Sequence, residues 1–148
     1  PKPSAAASDV YKRQDCEFYF ASLSSQTVVY KGMVRSEILS EFYQDLKEHN
    51  ASDNVVLLVF SEFGRRVHDN GSGTDHGSGG VTFVIGDSVK GGLYGEYPSL
   101  EESKLLEGDL HFNNDFRITY TSIIEDWFRL EAAPIVNGRF EKFDFFKN

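Results

Sequence analysis

The chain is poor in the residues that would commit it to several kinds of chemistry. Cys16 is the only cysteine among 148 residues, which excludes an internal disulfide and any zinc site built on cysteine pairs. Lysine and arginine number 15 against 23 aspartates and glutamates, a formal charge of −8, and no basic cluster stands out as a phosphate-backbone footprint, so nucleic acid is not an expected partner. No apolar run approaches membrane-spanning length, and no charged stretch leads into an apolar one in the manner of a secretion signal. The glycine-rich segment GSGTDHG (71–77) lacks both the G-x-G-x-x-G spacing and the following lysine of a phosphate-cradling loop, and no G-x-S-x-G elbow offers a serine nucleophile.

What is present is an ordinary globular composition, 40% hydrophobic and 26% charged, sufficient for one domain with a fair core. Its organising stretch runs from Val55 to Gly86. Two β-favouring apolar runs, VVLLVF and VTFVIG, bracket the polar segment SEFGRRVHDNGSGTDHGSGG, which reads as a long loop. Loops leaving the carboxyl ends of strands are where α/β sheets carry their working residues, and Ser61, Glu62 and Phe63 stand at such an end.

Taken in order, residues 1–14 are a segment to set aside. Asp9 to Gln14, DVYKRQ, is what GAT GTG TAT AAG AGA CAG encodes, and this resembles a transposase adaptor used to prepare sequencing libraries; a disordered tail is expected there. The segment holds Lys2, Lys12 and Arg13 against Asp9, a net +2, so the rest of the chain stands at −10.

Residues 15–46 begin with two short β-favouring runs, Phe18 to Ala21 and Thr27 to Lys31, expected to form a hairpin. Ser36 to Glu48 reads as a helix, with Ser36 as N-cap and Ile38, Leu39, Phe42 and Leu46 on the face that covers a sheet. The wording SLSSQTVVYKGMV resembles the glutamine amidotransferase domain of glutamate synthase. That family uses an amino-terminal cysteine nucleophile, which no residue here matches, since Cys16 lies outside the motif. The resemblance therefore carries over no catalytic residue.

Val55 to Phe60, apolar throughout, is expected to be a strand buried on both faces, as in a parallel sheet, with Val81 to Ile85 as the second strand. Val89 to Leu100 reads as a glycine- and proline-punctuated excursion, and Asp115 to Arg129 as a second helix presenting Phe116, Tyr120, Ile123, Ile124 and Trp127, with Asn114 near its start. Gly138 to Phe146 alternates imperfectly, like an edge strand.

From Phe42 onward the motifs SEFGRR, NGSGTDHG, VKGGLYG, GDL, NDFR and GRFEKF resemble the carboxyl-terminal part of the domain of unknown function family DUF1501. FYQDL (42–46) fits both resembled families, so a join between two unrelated pieces is expected there, dividing 15–46 from 47–148. The DUF1501 resemblance implies a branch of the alkaline phosphatase and sulfatase superfamily. The fold class it implies is α/β, an incomplete alkaline phosphatase-like sheet flanked by helices, with the part bearing the first metal-binding aspartate and the nucleophile missing. It also implies export by the twin-arginine route for the parent proteins.

In that superfamily a strand leads to Ala-Asp-His-Gly and a loop to a later histidine. On one mapping Glu62 takes the place of the metal-binding aspartate, Phe63 replaces its histidine, and His76 stands near the later one; on a second, Asp75 and His76 are themselves the Asp-His pair. The implied ligands are thus Glu62, Asp75 and His76, the implied cofactor a divalent metal (zinc, manganese or iron), and the implied substrate a small anionic ester. Carboxylate plus imidazole suits such metals, and Arg65 and Arg66 could hold the anion through bidentate contacts. Asp115 and Arg117 would stand behind the ligands.

Each role has a plainer counterpart. Asp75 could cap a turn while His76 bonds locally; the arginines could pair with Glu62, Asp69 or Asp75; Asp115 suits a helix start. Two further functions stay open beside the inactive hydrolase-like reading: a non-catalytic binding or export-associated protein, which the phenylalanine at position 63 favours, and an amidotransferase piece of glutamate synthase.

Overall fold

A computed structural model of the chain describes residues 27–29 and 36–147. The tail expected over 1–14, Cys16 and most of the Phe18–Lys31 hairpin lie outside the described residues. The described residues form a small α/β mixture with two small sheets. They fall into two compact units, one taking in residues up to Phe60 together with Thr82–Ser88, the other Ser61–Val81 and the chain from Val89 onward.

The first unit is built on β1 (Thr27–Val29), α1 (Ser36–Glu48), β2 (Val56–Val59) and β5 (Phe83–Ile85). The sheet order is β1-β2-β5, so β2 is central and hydrogen-bonded on both edges. Its apolar composition follows from that position: Val56 and Leu57 are each 1% exposed. β1 and β2 run parallel, Val28 opposite Leu57, because α1 supplies the crossover of a βαβ unit. The parallel expectation fails for β5, which runs antiparallel to β2 with Leu57 opposite Ile85. No crossover helix separates those two strands, so the chain returns in the opposite sense.

The helix covers the sheet as its spacing predicts. Leu39, Phe42, Tyr43 and Leu46 pack against Val55 and Leu57, with Ile85 alongside. Tyr43 and Ser52 both donate to the Asp87 carboxylate, at 2.6 Å each, tying the helix and the turn at Ser52–Asn54 to the end of β5. Burial, then the Asp87 hydrogen bond, pushes the Tyr43 phenol up to about 12.

In the second unit the expected loop is a β-hairpin, β3 (Gly64–Asp69) paired antiparallel with β4 (Thr74–Gly77). The turn is Asn70–Gly73: Asn70 N–H donates to the Gly73 carbonyl at 2.8 Å, Gly71 N–H to Asp69 Oδ1 at 2.6 Å, and Gly71 sits at φ +91°. Gly71-Ser72, a glycine-first pair at the centre of the turn, is a hairpin signal that a loop reading of the stretch does not use. Lower in the hairpin, Gly64 packs so tightly on Gly79 that a Cβ would overlap the Gly79 carbonyl oxygen. The glycines thus serve backbone packing. Ser78 fastens the hairpin to the GDL motif, its N–H donating to Asp109 Oδ2 at 2.9 Å and its hydroxyl to the Leu110 carbonyl at 2.9 Å.

The second helix is shorter and less regular than its spacing predicts. α2 covers Phe116–Ser122 and passes into a π-helical turn over Ile123–Trp127; α3 is the short Ala133–Val136. Asp115, not Asn114, is the cap. Phe116, expected in the core, is 65% exposed; the buried residues of α2 are Thr121 and Ser122, which lie on the other side of the helix. Ser122 is fully buried; it donates to the Ile118 carbonyl at 2.8 Å and accepts from Phe143 N–H at 2.9 Å. The carboxyl-terminal segment held in this way is not a strand. It makes one bridge, Val89 with Phe146, beside the Lys90 N–H to Phe145 carbonyl bond of 2.7 Å.

Candidate functional site

The hairpin places Arg65 directly opposite His76. The Phe63 ring stacks on the His76 imidazole, centroids 3.6 Å apart and planes 12° from parallel, and the Arg65 guanidinium lies 5.2 Å from the Phe63 ring. Arg65 also donates to the Thr74 carbonyl at 2.6 Å, and Arg66 donates to the Glu107 carbonyl. Both arginines are therefore engaged by backbone oxygens and not by the carboxylates of Glu62, Asp69 or Asp75.

Asp75 and His76 are neighbours in a strand, so their side chains leave opposite faces. Asp75 Oδ1 accepts from Asn70 Nδ2 at 2.6 Å and thereby fixes the turn. Glu62 is exposed. Among the described residues no three His, Cys, Asp or Glu side chains are gathered as a metal-holding group, so Glu62, Asp75 and His76 do not come together as they stand. Asp75 and His76 are placed by hairpin geometry, and Phe63 covers one face of the imidazole.

Asp115 and Arg117 form a tight local pair. The carboxylate caps α2 through Arg117 N–H at 2.9 Å and receives the guanidinium at 2.9 Å (Nε) and 2.6 Å (NH2). The guanidinium and backbone bonds from Arg117 lower the Asp115 carboxyl to about 2, and the same carboxylate raises Arg117. Arg117 in turn lies 4.2 Å from the Phe140 ring, joining the NDFR and GRF motifs. That contact between distant motifs was not legible from spacing, which gave no reason to bring residues 117 and 140 together.

Comparison with known proteins divides the chain in a way the fold makes intelligible. The model described as Protein of unknown function (DUF1501) matches residues 36–121, more than half of the chain. The chain belongs to the DUF1501 family. Residues 4–66 also match the model of the class-II glutamine amidotransferases. The chloroplastic ferredoxin-dependent glutamate synthase of Oryza sativa subsp. japonica is 71% identical over 56 residues, 38% of this chain and 3% of that protein. The ferredoxin-dependent glutamate synthase of Pyropia yezoensis is 67% identical over 47 residues, 30% of this chain and 3% of its own length. The Glutamate synthase [NADPH] large chain of Bacillus subtilis is 51% identical over 47 residues, 32% of this chain and again 3% of the relative. The chain thus spans only a few hundredths of the length of these curated relatives. No solved structure matches it significantly.

The two family matches overlap over residues 36–66, which hold α1, β2 and the start of the DUF1501 hairpin.

Proposed function

We propose that the chain is a composite whose amino-terminal part contributes to the glutamine amidotransferase domain of a glutamate synthase, as scaffold and without the nucleophile. The 71% identity over 56 residues to the rice ferredoxin-dependent enzyme supports the glutamate synthase part of this reading, and because those residues outnumber the 32 of 15–46 the similarity reaches into the flanking sequence as well. On it, residues 1–14 are adaptor-derived, 15–46 are the glutamate synthase piece, and 47–148 are DUF1501 sequence. Long-read sequencing of the source loci tests it. The expected result is a glutamate synthase gene holding the 15–46 stretch and a separate gene holding 47–148. One uninterrupted gene encoding 15–148, or a 15–46 stretch found in no glutamate synthase gene, would overturn it. The isolated chain is expected to release no glutamate from glutamine, with Cys16→Ala making no difference.

A second reading concerns the DUF1501 region, because that match takes in Glu62, Arg65, Arg66, Asp75 and His76 together. It is an alkaline phosphatase-like or sulfatase-like ester hydrolase, with the arginines on the anion and the other three on zinc, manganese or iron. The hairpin would first have to surrender the Asn70–Asp75 bond and the Phe63–His76 stack. Metal analysis and ester hydrolysis by an intact DUF1501 protein decide between this and a non-catalytic role: no bound metal, and no loss on the change equivalent to His76→Ala, would leave the non-catalytic role.

A further inference from the structure

The second unit contains a cavity of about 350 Å³ that neither reading uses. Its walls come from three places: Thr121 and Glu125 on α2 and the π-helical turn, Glu131 and Ala132 ahead of α3, and Arg139 and Phe140 in the GRF motif. The walls are fixed by contacts already described. Ser122, beside Thr121, pins the carboxyl-terminal segment through Phe143 N–H, and Phe140 is held by Arg117, itself held by Asp115. NDFR and GRF, two motifs with no role in the hairpin, together shape one side of this space.

The polar groups around it are unusually unengaged. Thr121 is 2% exposed, yet its Oγ1 is buried without a hydrogen-bond partner, a condition native structures rarely leave uncompensated. Glu125 is held by Lys142 at 3.4 Å. Glu131 and Arg139 take part in no ion pair or hydrogen bond among the described residues. The cavity therefore offers one free carboxylate and one free guanidinium, beside Phe140. A simple anion would meet Glu131 and a simple cation would meet Arg139. A molecule carrying both charges satisfies both residues, and the volume is within the range of small-ligand pockets.

We propose that this cavity binds a small zwitterion, a free α-amino acid, with its carboxylate on Arg139 and its ammonium on Glu131. The test is an NMR titration of the full chain with L-alanine, using acetate and methylammonium as single-charge controls. L-Alanine is expected to shift the amides of Thr121, Glu125, Ala132 and Arg139 saturably and to bind more tightly than either control. Arg139→Gln and Glu131→Gln, both at exposed residues that make no bond supporting the fold, should each weaken it about tenfold. Unchanged amides with L-alanine, equal binding of acetate or methylammonium, or charge variants that bind as the parent does would each overturn the proposal.

Discussion

The sheet β1-β2-β5 and the hairpin β3–β4 are made from adjoining stretches of sequence and are stabilised in opposite ways. In the sheet the side chains carry the structure: β2 buries Val56, Leu57 and Leu58, and α1 closes over Val55 and Leu57 with an apolar stripe. The backbone there is regular, and what specifies it is volume. In the hairpin most side chains point to solvent, and the strands stay together through ladder bonds, a Gly-Ser turn, and contacts so close that only glycine fits. Polar residues in the first setting would be functional or destabilising; in the second they are the ordinary outer face of a ribbon. Arg65, Arg66, Asp75 and His76 belong to the second setting; Arg65, Asp75 and His76 find their partners in or beside the hairpin, while Arg66 reaches the Glu107 carbonyl.

The sharpest way to break this contrast is to change volume in each region. Leu57→Ala removes most of a side chain that is 1% exposed and should cost about 3 kcal/mol in urea denaturation, whereas Leu57→Met, which keeps the volume, should cost less than about 1.5 kcal/mol. In the hairpin the order reverses, and the smallest addition does the harm. Gly64→Ala places a methyl group on the Gly79 carbonyl oxygen and should cost about 2 to 3 kcal/mol, with amide shifts concentrated in residues 63–80. An alanine tolerated at position 64 without loss would mean that the hairpin is not held by close backbone approach.

The same contrast explains what sequence alone revealed. The first unit was legible because burial imposes periodicity: α1 spans the expected Ser36–Glu48, and β2 falls inside the expected Val55–Phe60. Strand sense was less legible, since a buried apolar run looks alike beside a parallel or an antiparallel neighbour. The hairpin was read as a loop because its strands have no apolar alternation, their stability lying in backbone contacts. At the site, the spatial relation of Glu62, Asp75 and His76 was not readable from their order in the chain. An extended β4 sends Asp75 and His76 to opposite faces, and only coordinates show the Phe63 ring against His76.

A single hydroxyl tests whether the carboxyl-terminal segment depends on side chains or backbone. Ser122→Ala leaves Phe143 N–H without its acceptor in a buried setting and should cost about 1 to 2 kcal/mol, measured by denaturant midpoint. Ser122→Thr, which restores the oxygen but crowds a fully buried position, should recover only part of the loss. Equal stability of the alanine variant would show that this segment is anchored instead by the aromatic stack of Trp127 on Phe146.

The smallest effects separate the two units by pH. In the second unit the Asp115 carboxyl is lowered from 3.8 to about 2 by its Arg117 hydrogen bonds. Its stabilising contribution is therefore present above the unfolded value and is lost as pH falls from about 4 through about 2. In the first unit the Tyr43 phenol is raised from 10.0 to about 12 by burial and the Asp87 bond, so its contribution is present below 10 and fades as pH rises through about 12. Asp115→Asn keeps an oxygen for the helix cap but removes the charge, and it should flatten the acid limb of the denaturation midpoint while leaving the alkaline limb alone. Tyr43→Phe should do the reverse. Because Asp115 is partly exposed and paired with a cation, added salt should reduce the acid effect, whereas the Tyr43 effect, led by desolvation, should persist. If salt suppressed both limbs equally, the alkaline limb would be charge screening as well, and the first unit could no longer be described as held by burial at that end of its sheet.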